Sequence, residues 1–384
     1  MERQIGDVAF ARYANHTGMP EPDFDSPYPL GPPNLALLAS LLCKHITAVP
    51  YENLCLHYSR ERDVSLDCRP LLDRIINRRR GGYCMELNMI FFFLLRRLGF
   101  HARHSIILVT FESPAFPVRT LTYLVDVGFG GDGPIVPIAL LSDVVNSNLG
   151  SQETRLTFGS VQGLDSATMA PQPHLWSYWT RNSPKHVWKQ RFCFSLLEFT
   201  LEDFKVMSYF ASTHKESIQT KKLMVVKFLS ESSARTEYSS CESATRSPSK
   251  HSNHIFGRSD QVPSHKRGPN DDCIAGKLIL VDDTLKINTG SKTQVLKVCT
   301  TEEERVTVLE TAFDIIVQEY ERSSIRGSPV ELAPKCTVSE NSPGDEKLAA
   351  SIDSKRIGYS RVGDRHVQEV GRGLATQYML LCKC

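Results

Sequence analysis

The segment Arg79-Arg80-Gly81-Gly82-Tyr83-Cys84-Met85-Glu86-Leu87-Asn88 connects a pair of glycines to the start of an apolar helix. From Leu87 onward, apolar residues recur at i, i+3, i+4, i+7, i+8 and i+11, which predicts a helix buried along one face. Cys84 then lies in the first turn, where unpaired backbone N–H groups and the positive end of the helix dipole favour a thiolate. The glycines permit the backbone angles of a sharp entry. We therefore predict that Cys84 is a nucleophile, with a small buried cysteine at the start of a core helix as the alternative.

Two more helices are predicted ahead of this segment. Asn34 has the side chain of a helix cap, and helical spacing continues from it up to Pro50, which ends the helix. A second helix fits residues 69–79. Together with the Cys84 helix they predict a helical domain over residues 1–100.

The hydrophobic period changes from 3.6 to 2 beyond this domain. Residues 105–111 and 122–129 are predicted as strands, and we expect them to be neighbours in one sheet. Short strand-like runs continue as far as residue 194, and a helical or irregular stretch follows. This pattern predicts a central β-barrel over residues 101–210.

Ordered sequence returns toward the end of the chain. Three strand candidates follow one another at residues 277–281, 284–287 and 293–298. Thr301, followed by three glutamates, begins a helix with its acidic residues in the first turn. These elements predict an α/β lid made of residues 211–229 and 273–332.

Two segments lack the pattern of a folded domain. Residues 230–272 are rich in Ser, Lys, Arg, Pro and Asn, which predicts a disordered insert. Residues 333–384 show little periodicity and are predicted to form a flexible tail.

The composition of the 384 residues favours no particular class of macromolecular partner. Forty-five Lys and Arg balance 43 Asp and Glu, so no charge excess favours nucleic acid or a membrane surface. The 11 cysteines are irregularly spaced, which predicts neither a disulfide framework nor a metal site and favours a reducing, cytoplasmic compartment. The start lacks an apolar leader, and no apolar run is long enough to span a bilayer.

A thiolate nucleophile needs a base and a group that orients the base. His104 begins the first strand after the Cys84 helix, and Asp126 lies in the second strand, where an ionised carboxylate is costly without a partner. If the two strands pair, Asp126 reaches the imidazole and a Cys-His-Asp site results. His101 is the nearest rival to His104, and a satisfied core aspartate beside a structural histidine is the alternative.

Four motifs occur in a fixed order along the chain. They are Pro50-Tyr51-Glu52-Asn53-Leu54, Arg80 to Asn88 as quoted above, His104 ahead of Ile106-Ile107-Leu108-Val109, and Asp126-Val127-Gly128-Phe129-Gly130. This series resembles the signatures of the arylamine N-acetyltransferases, and the resemblance covers about residues 10–229 and 273–332.

The resemblance implies an α+β fold with a papain-like Cys-His-Asp core, in which a helical bundle carries the cysteine, a β-barrel carries the histidine and aspartate, and an α/β lid completes the molecule. It implies that Cys84 accepts the acyl group, that His104 is the base and that Asp126 orients the base. Arg80 is expected to pair with Glu52, either to hold the Cys84 loop or as an ordinary buried salt bridge.

In such enzymes acyl-CoA acylates the cysteine, and an arylamine, hydrazine or N-hydroxyarylamine then takes the acyl group in a ping-pong reaction. Acetyl-CoA is the expected donor, with malonyl-CoA or propionyl-CoA as alternatives, and the role is detoxification or modification of aromatic amines. Phe129 and Tyr83 are the expected substrate-binding residues. The residues that loosely match the family's CoA site are Phe210, Thr213 and Ser217.

The chain departs from the family pattern just before His104. Similar enzymes have a further strand and a long loop between the positions of Gly99 and His104, so one barrel strand is expected to be missing here. Two alternatives follow: a family member whose site is impaired by this loss, and a papain-type cysteine hydrolase. Against the hydrolase, Cys84 lacks the Cys-Gly-Ser-Cys-Trp surroundings of that nucleophile.

Overall fold

The computed structural model of the chain describes residues 5–62, 64–104, 106–113, 116–160, 174–231, 274–290 and 292–332. Four helices come first: α1 Asp7–Thr17, α2 Leu35–Ala48, α3 Cys68–Arg78 and α4 Cys84–Arg97. The Asn34 side chain accepts a hydrogen bond from the Leu37 N–H at 2.9 Å, so α2 begins with the predicted cap. The three helices predicted in this region are confirmed.

The apolar stripe of α4 lies in the largest hydrophobic core. Leu87, Ile90 and Leu94 are fully buried there, together with residues of α1, α2 and α3. Ile107 and Val125 reach the same core from a neighbouring sheet. The helix that begins at Cys84 is therefore covered by helices on one side and by a sheet on another.

Two antiparallel sheets of four strands follow. The first has the order β2-β3-β4-β5, with β2 His101–His104, β3 Ile107–Ser113, β4 Phe116–Val125 and β5 Ile138–Ala139. The second has the order β6-β7-β8-β9, with β6 Val145–Ser147, β7 Glu153–Ser160, β8 His174–Arg181 and β9 Lys189–Phe194. Residues 101–104, where a missing strand was expected, thus form a strand of their own.

The predicted central β-barrel is wrong, because neither sheet closes within the described part of the chain. The two sheets share a small apolar core instead, to which Leu108 and Leu124 contribute from the first sheet and Tyr178 and Phe192 from the second. An isolated backbone bridge joins Ser142, in the connection after β5, to Leu156 of β7. Side-chain packing, rather than a continuous ladder of hydrogen bonds, joins the sheets.

A third, five-stranded antiparallel sheet has the order β1-β10-β11-β12-β13. Its strands are β1 Tyr51–Glu52, β10 Met224–Ser230, β11 Ile274–Val281, β12 Thr284–Asn288 and β13 Thr293–Val298. The strands predicted after the serine-rich segment correspond to β11, β12 and β13. Because β1 comes from the chain just before α3, this sheet is attached to the region that carries Cys84.

The remaining helices flank these sheets. They are α5 Leu201–Thr213, α6 Ile218–Lys221, α7 Glu302–Phe313 and α8 Glu319–Arg322. Thr301 caps α7 by accepting from the Glu304 N–H, as predicted. No helix of the described part is long and apolar enough to cross a membrane. Nearly all of the predicted insert and the whole predicted tail lie outside the described residues.

Candidate active site

Cys84 is the first residue of α4 and is 8% exposed. The loop ahead of it is attached to β1, because the Glu52 N–H donates to the Gly82 carbonyl at 2.8 Å and Tyr51 forms a parallel bridge with Gly82. The Tyr83 N–H donates to the Glu86 carboxylate at 3.1 Å, which satisfies a free donor at the helix start. Cys84 is thus held at the predicted position.

Gly81 and Gly82 lie where the loop has no space for a side chain. Neither Gly81 nor Gly82 has a positive φ. A Cβ on Gly81 would overlap the carbonyl group of Pro50, and one on Gly82 would lie 2.5 Å from Glu86 Oε2. Close packing of the loop against its neighbours, rather than an unusual backbone angle, therefore explains the glycine pair.

Arg80 lies at the centre of a buried ion cluster under the loop. Its Nε and Nη2 bind the two oxygens of Glu52 at 3.0 and 3.1 Å, and its Nη1 lies 3.3 Å from Glu321 Oε1. The expected Arg80–Glu52 pair is thereby confirmed. Burial opposes ionisation of Glu52, but Arg80, Arg74 and hydrogen bonds outweigh it and hold the pKa of Glu52 below its ordinary value.

A second pair of charges supports the helix start. Arg74 pairs with Glu86 and also donates to the Gly81 carbonyl at 3.0 Å. Arg78 binds Glu321, the residue that also reaches Arg80. The cluster joins α3 and the adjoining Cys84 loop to α8, which is far away in sequence.

Asp126 follows directly after β4 and is 5% exposed. Its Oδ1 accepts hydrogen bonds from Asn88 Nδ2 at 2.9 Å and from the Gly128 N–H at 2.8 Å. Asn88 Oδ1 in turn accepts from the Val127 N–H at 3.0 Å. Burial raises the pKa of Asp126, against the hydrogen bonds that favour its ionised form.

Asn88 explains how this strand end reaches the nucleophile. It lies four residues after Cys84, so both side chains share one face of α4. A Cβ on Gly128 would lie 2.6 Å from the Cys84 carbonyl oxygen, which shows how closely the two backbones approach. The structure therefore brings Asp126 and Cys84 into one site, and Asn88 is a site residue that our sequence reasoning missed.

His104 lies elsewhere. Its ring stacks between Phe92, at 4.3 Å, and Phe204, at 3.9 Å between centroids. Its Nε2 is buried and has no hydrogen-bond partner among the described residues, and burial lowers the pKa of His104 to about 3. The rival residue, His101, is exposed at the start of β2. Neither imidazole is among the hydrogen-bond partners of Asp126.

Strand register explains this separation. His104 pairs with Ile107, whose side chain lies in the core under α4. Asp126 is two residues after Leu124, whose side chain lies in the other core, between the two sheets. Because side chains alternate between the faces of a strand, His104 and Asp126 belong to opposite faces of the first sheet.

The expected substrate-binding residues both lie near this site. Tyr83 is buried, and its hydroxyl lies 2.5 Å from Ser208 Oγ, which fastens α5 to the residue before Cys84. Phe129 lines a small cleft together with Asp126 and Tyr51. The ring of Phe129 also contacts Phe192 of the second sheet, with centroids 5.1 Å apart.

The residues expected to bind CoA are dispersed. A cavity of about 490 Å³ lies between residues 61–62, 64–67 and α5, and of the three expected residues only Thr213 lines it. Phe210 stacks on His214 instead, and Ser217 caps α6 by accepting from the Gln219 N–H. The described residues contain no group of three or more ligands able to hold a metal ion.

Comparisons with known proteins agree with the fold and the motifs. A family model described as N-acetyltransferase matches residues 34–239. The chain is 28% identical over 315 residues to the N-malonyltransferase FDB2 of Gibberella moniliformis, covering 76% of this chain and 81% of that protein. It is 38% identical over 125 residues to an arylamine N-acetyltransferase of Escherichia coli, covering 30% and 44%.

Solved structures with the same fold cover most of the chain. The arylamine N-acetyltransferase of Nocardia farcinica matches with a TM-score of 0.57 and 21% identity, covering 86% of this chain and 96% of that one. That of Mycobacterium marinum in complex with CoA matches with a TM-score of 0.54 and 22% identity, covering 83% and 98%. At these identities the likeness establishes the fold.

Proposed function

The chain belongs to the arylamine N-acetyltransferase family, and from that premise we propose that it transfers a short acyl group from acyl-CoA to an amine through a thioester on Cys84. The observation that carries the proposal is the placement of Cys84 at the start of α4, directly against the strand end that bears Asp126. The helix N-terminus favours the thiolate that the first step needs.

The reaction has two half-steps. The Cys84 thiolate attacks the acyl carbonyl, the C–S bond to CoA breaks, and CoA leaves as a thiolate. The amine nitrogen then attacks the Cys84 thioester, the C–S bond to Cys84 breaks, and the nitrogen loses a proton to give the amide. Exchange of one thioester for another is nearly isoenergetic, so the first step needs no other source of energy.

Arylamines, hydrazines and N-hydroxyarylamines are the proposed acceptors. An aromatic amine is weakly basic and therefore unprotonated at neutral pH, so its nitrogen is able to attack. Phe129 lies beside Asp126 in a cleft of about 10 Å³, which is too small to hold an arylamine as it stands, so the support for a planar acceptor is the aromatic ring of Phe129 and not the size of the cleft.

Acetyl-CoA is the proposed donor, and malonyl-CoA is the alternative. The alternative is supported by the similarity to the N-malonyltransferase FDB2, which covers 76% of this chain. We place the CoA moiety in the cavity between residues 61–62, 64–67 and α5, where Arg62 and Lys205 are the candidate phosphate partners, although Glu61 and Asp67 line the same cavity, and Thr213 offers a hydroxyl group.

The test is the intact mass of the protein after mixing with acetyl-, propionyl- or malonyl-CoA, followed by addition of an arylamine. We expect one acyl group on the wild-type chain, lost when the amine is added, and none on Cys84→Ser. Cys43→Ser, which alters a half-buried cysteine of α2, is the matched control and should acylate normally. Absence of an adduct from all three donors would refute the proposal, and loss of the adduct to water alone would favour a hydrolase.

A further inference from the structure

Lys277 is a buried lysine on the face of the third sheet that packs toward the Cys84 helix. Its side chain is 4% exposed, and no other lysine of the described residues is buried. Ile279, two residues further along β11, packs against the core that contains the apolar stripe of α4, whereas Leu278 lies in the core on the opposite face. Because side chains alternate along a strand, Lys277 shares the face of Ile279. The lysine therefore extends from the third sheet toward the candidate active site.

The ammonium group of Lys277 binds the loop that follows Phe129. Its Nζ donates to the Gly131 carbonyl and lies 3.6 Å from Asp132 Oδ1. The same Nζ lies 6.0 Å from the ring centroid of Phe228, which lines the small cleft together with Phe129. Lys277 thus reaches the loop from the side of the cleft that the third sheet forms.

The far end of this loop is bound to the second sheet. Asp132 Oδ2 pairs with Arg191 Nη2 at 2.7 Å, and Asp132 Oδ1 accepts from Gln152 Nε2 at 3.2 Å. The Tyr178 hydroxyl donates to the Asp132 carbonyl at 3.0 Å. Only two glycines separate Phe129 from Asp132. Because glycine has more backbone freedom than other residues, contacts from outside the loop determine the conformation of this stretch.

Packing alone does not account for an ammonium group at this position. Burial of the charge is costly and lowers the pKa of Lys277, whereas the nearby Asp132 opposes the shift. Asp132 already has a cationic partner in Arg191. A methionine, which has a similar length, would fill the same space without this cost. The bond to the Gly131 carbonyl is the contact that requires the ammonium group.

We propose that Lys277 is a positioning residue for the acceptor: by binding the Gly131 carbonyl it fixes the backbone that carries Phe129, and it thereby determines the preference for amines that have an aromatic ring. The inference rests on the proposed function and concerns its second half-step. Lys277 itself makes no bond to the acceptor and transfers no proton. Because the loop backbone is held in this way, space for an acceptor ring has to come from rotation of the Phe129 or Phe228 side chain.

The first experiment compares two acceptors, p-anisidine, which has an aromatic ring, and hydrazine, H₂N–NH₂, which has none. Lys277→Met should lower kcat/KM for p-anisidine about 10- to 100-fold, the loss expected when a hydrogen bond to a charged group is removed. The value for hydrazine, and the rate at which acyl-CoA acylates Cys84, should each stay within about threefold of wild type, since neither depends on the aromatic wall. An equal loss for both acceptors, or slower acylation of Cys84, would overturn the inference.

Lys286→Met is the matched control. Lys286 is a half-buried lysine of the neighbouring β12 and lies directly opposite Ile279 in the ladder, so the control removes one positive charge from the same face of the same sheet. It should leave kcat/KM unchanged for both acceptors. If Lys286→Met reduces the preference for p-anisidine as much as Lys277→Met does, the effect belongs to the charge of the sheet and the proposal is wrong.

A second measurement uses no substrate and separates this inference from the proposed function. Hydrogen exchange of the backbone amides of residues 128–133, followed by mass spectrometry, should be at least about threefold faster in Lys277→Met than in wild type or Lys286→Met, while exchange in α7 stays the same. Unchanged exchange of this loop in a folded Lys277→Met chain would overturn the positioning role. Faster exchange, in a protein whose wild type transfers no acyl group to any amine, would support Lys277 as the residue that holds the loop and would refute the proposed function.

Discussion

Buried imidazoles connect the stability of this protein to pH, and among the described residues His45 and His104 are the ones whose pKa values fall furthest. The Tyr13 hydroxyl and His45 Nδ1 are hydrogen-bonded, and His45 Nε2 has no hydrogen-bond partner among the described residues. Burial, together with the nearby His16, lowers the pKa of His45 to about 3, and burial alone lowers that of His104 to the same range. Both rings are therefore neutral in the folded chain at pH values where an unfolded chain binds protons.

We predict that the free energy of unfolding decreases as the pH falls below about 6.5. Between the unfolded pKa of about 6.5 and the folded value, the unfolded chain binds one more proton per buried histidine. His45 and His104 then each lower the free energy of unfolding by about 1.4 kcal/mol per pH unit, or by about 2 kcal/mol at pH 5. Above pH 7 neither histidine affects it. Urea unfolding at pH 7.5, 6.5, 5.5 and 5.0 measures the slope.

A pair of variants checks the assignment of this slope. His104→Gln should reduce the slope by about 1.4 kcal/mol per pH unit, whereas the matched change in exposed His186 should leave it intact. An unchanged slope in His104→Gln would show that this imidazole does not titrate with unfolding.

Sequence reasoning at the residue scale succeeded where partners lie within motifs. The Arg80–Glu52 pair follows from two neighbouring signatures, and the structure confirms it. Glu321 completes the same cluster from 241 residues away, a separation that no local pattern encodes. His104 lies on a strand as expected, but the side of a sheet that a residue faces depends on register, and a one-residue difference reverses it.

At the scale of elements, the junction of α4 with the end of β4 determines the geometry of the site. Asn88 binds both Asp126 and the Val127 N–H, and Gly128 lies against the Cys84 backbone. Any atom added at Gly128 must push the strand end away from the helix. The junction therefore leaves no room for a side chain at position 128.

We predict that Gly128→Ala destabilises the chain by about 1–3 kcal/mol, the usual cost of overpacking, and lowers the rate of Cys84 acylation. The new Cβ would lie 2.6 Å from the Cys84 carbonyl oxygen and 2.7 Å from its Cα. Gly159→Ala in β7 is the matched control, because a Cβ there meets nothing within 4 Å. Urea unfolding and the acylation assay measure both effects. If the two variants have the same stability and the same acylation rate, the junction accommodates the added methyl group and the prediction is wrong.

The barrel prediction failed because the sequence pattern does not show how strands pair at the edges of a sheet. Alternating hydrophobicity indicates that segments are strands and which face of each is apolar. Closure of a barrel depends instead on pairing between particular edge strands and on their stagger. Here β5 has only two residues, and the first sheet ends there. Packing through Leu108, Tyr178 and their neighbours joins the sheets without closing them.

Across the whole molecule, the third sheet and the C-terminal helices meet at the nucleophile loop. β1 pairs with β10, and Glu52 of β1 binds Arg80. Glu321 of α8 binds both Arg80 and Arg78. The region predicted as a lid is therefore bonded to the base of the Cys84 loop by buried charges, and its folding should be coupled to that of the helices.

The serine-rich segment should contribute nothing to this coupling. β10 and β11 are antiparallel neighbours, and Ser230 pairs with Ile274, so the two ends of the connection already meet. We predict that replacing residues 231–273 with Asn-Gly, a two-residue hairpin turn, preserves the fold and the acylation of Cys84. The shorter connection should raise the free energy of unfolding by up to about 3 kcal/mol, because less loop entropy is lost on folding.

Urea unfolding and the mass-spectrometric acylation assay test this replacement directly. A variant that replaces residues 229–275 with the same turn is the control, since it also removes Leu229, which pairs with Gly276 and lies in the core of the third sheet. That variant should lose stability while the first does not. If the first replacement alone lowers the unfolding midpoint or abolishes acylation, the segment contacts the folded domain and is more than a connection between β10 and β11.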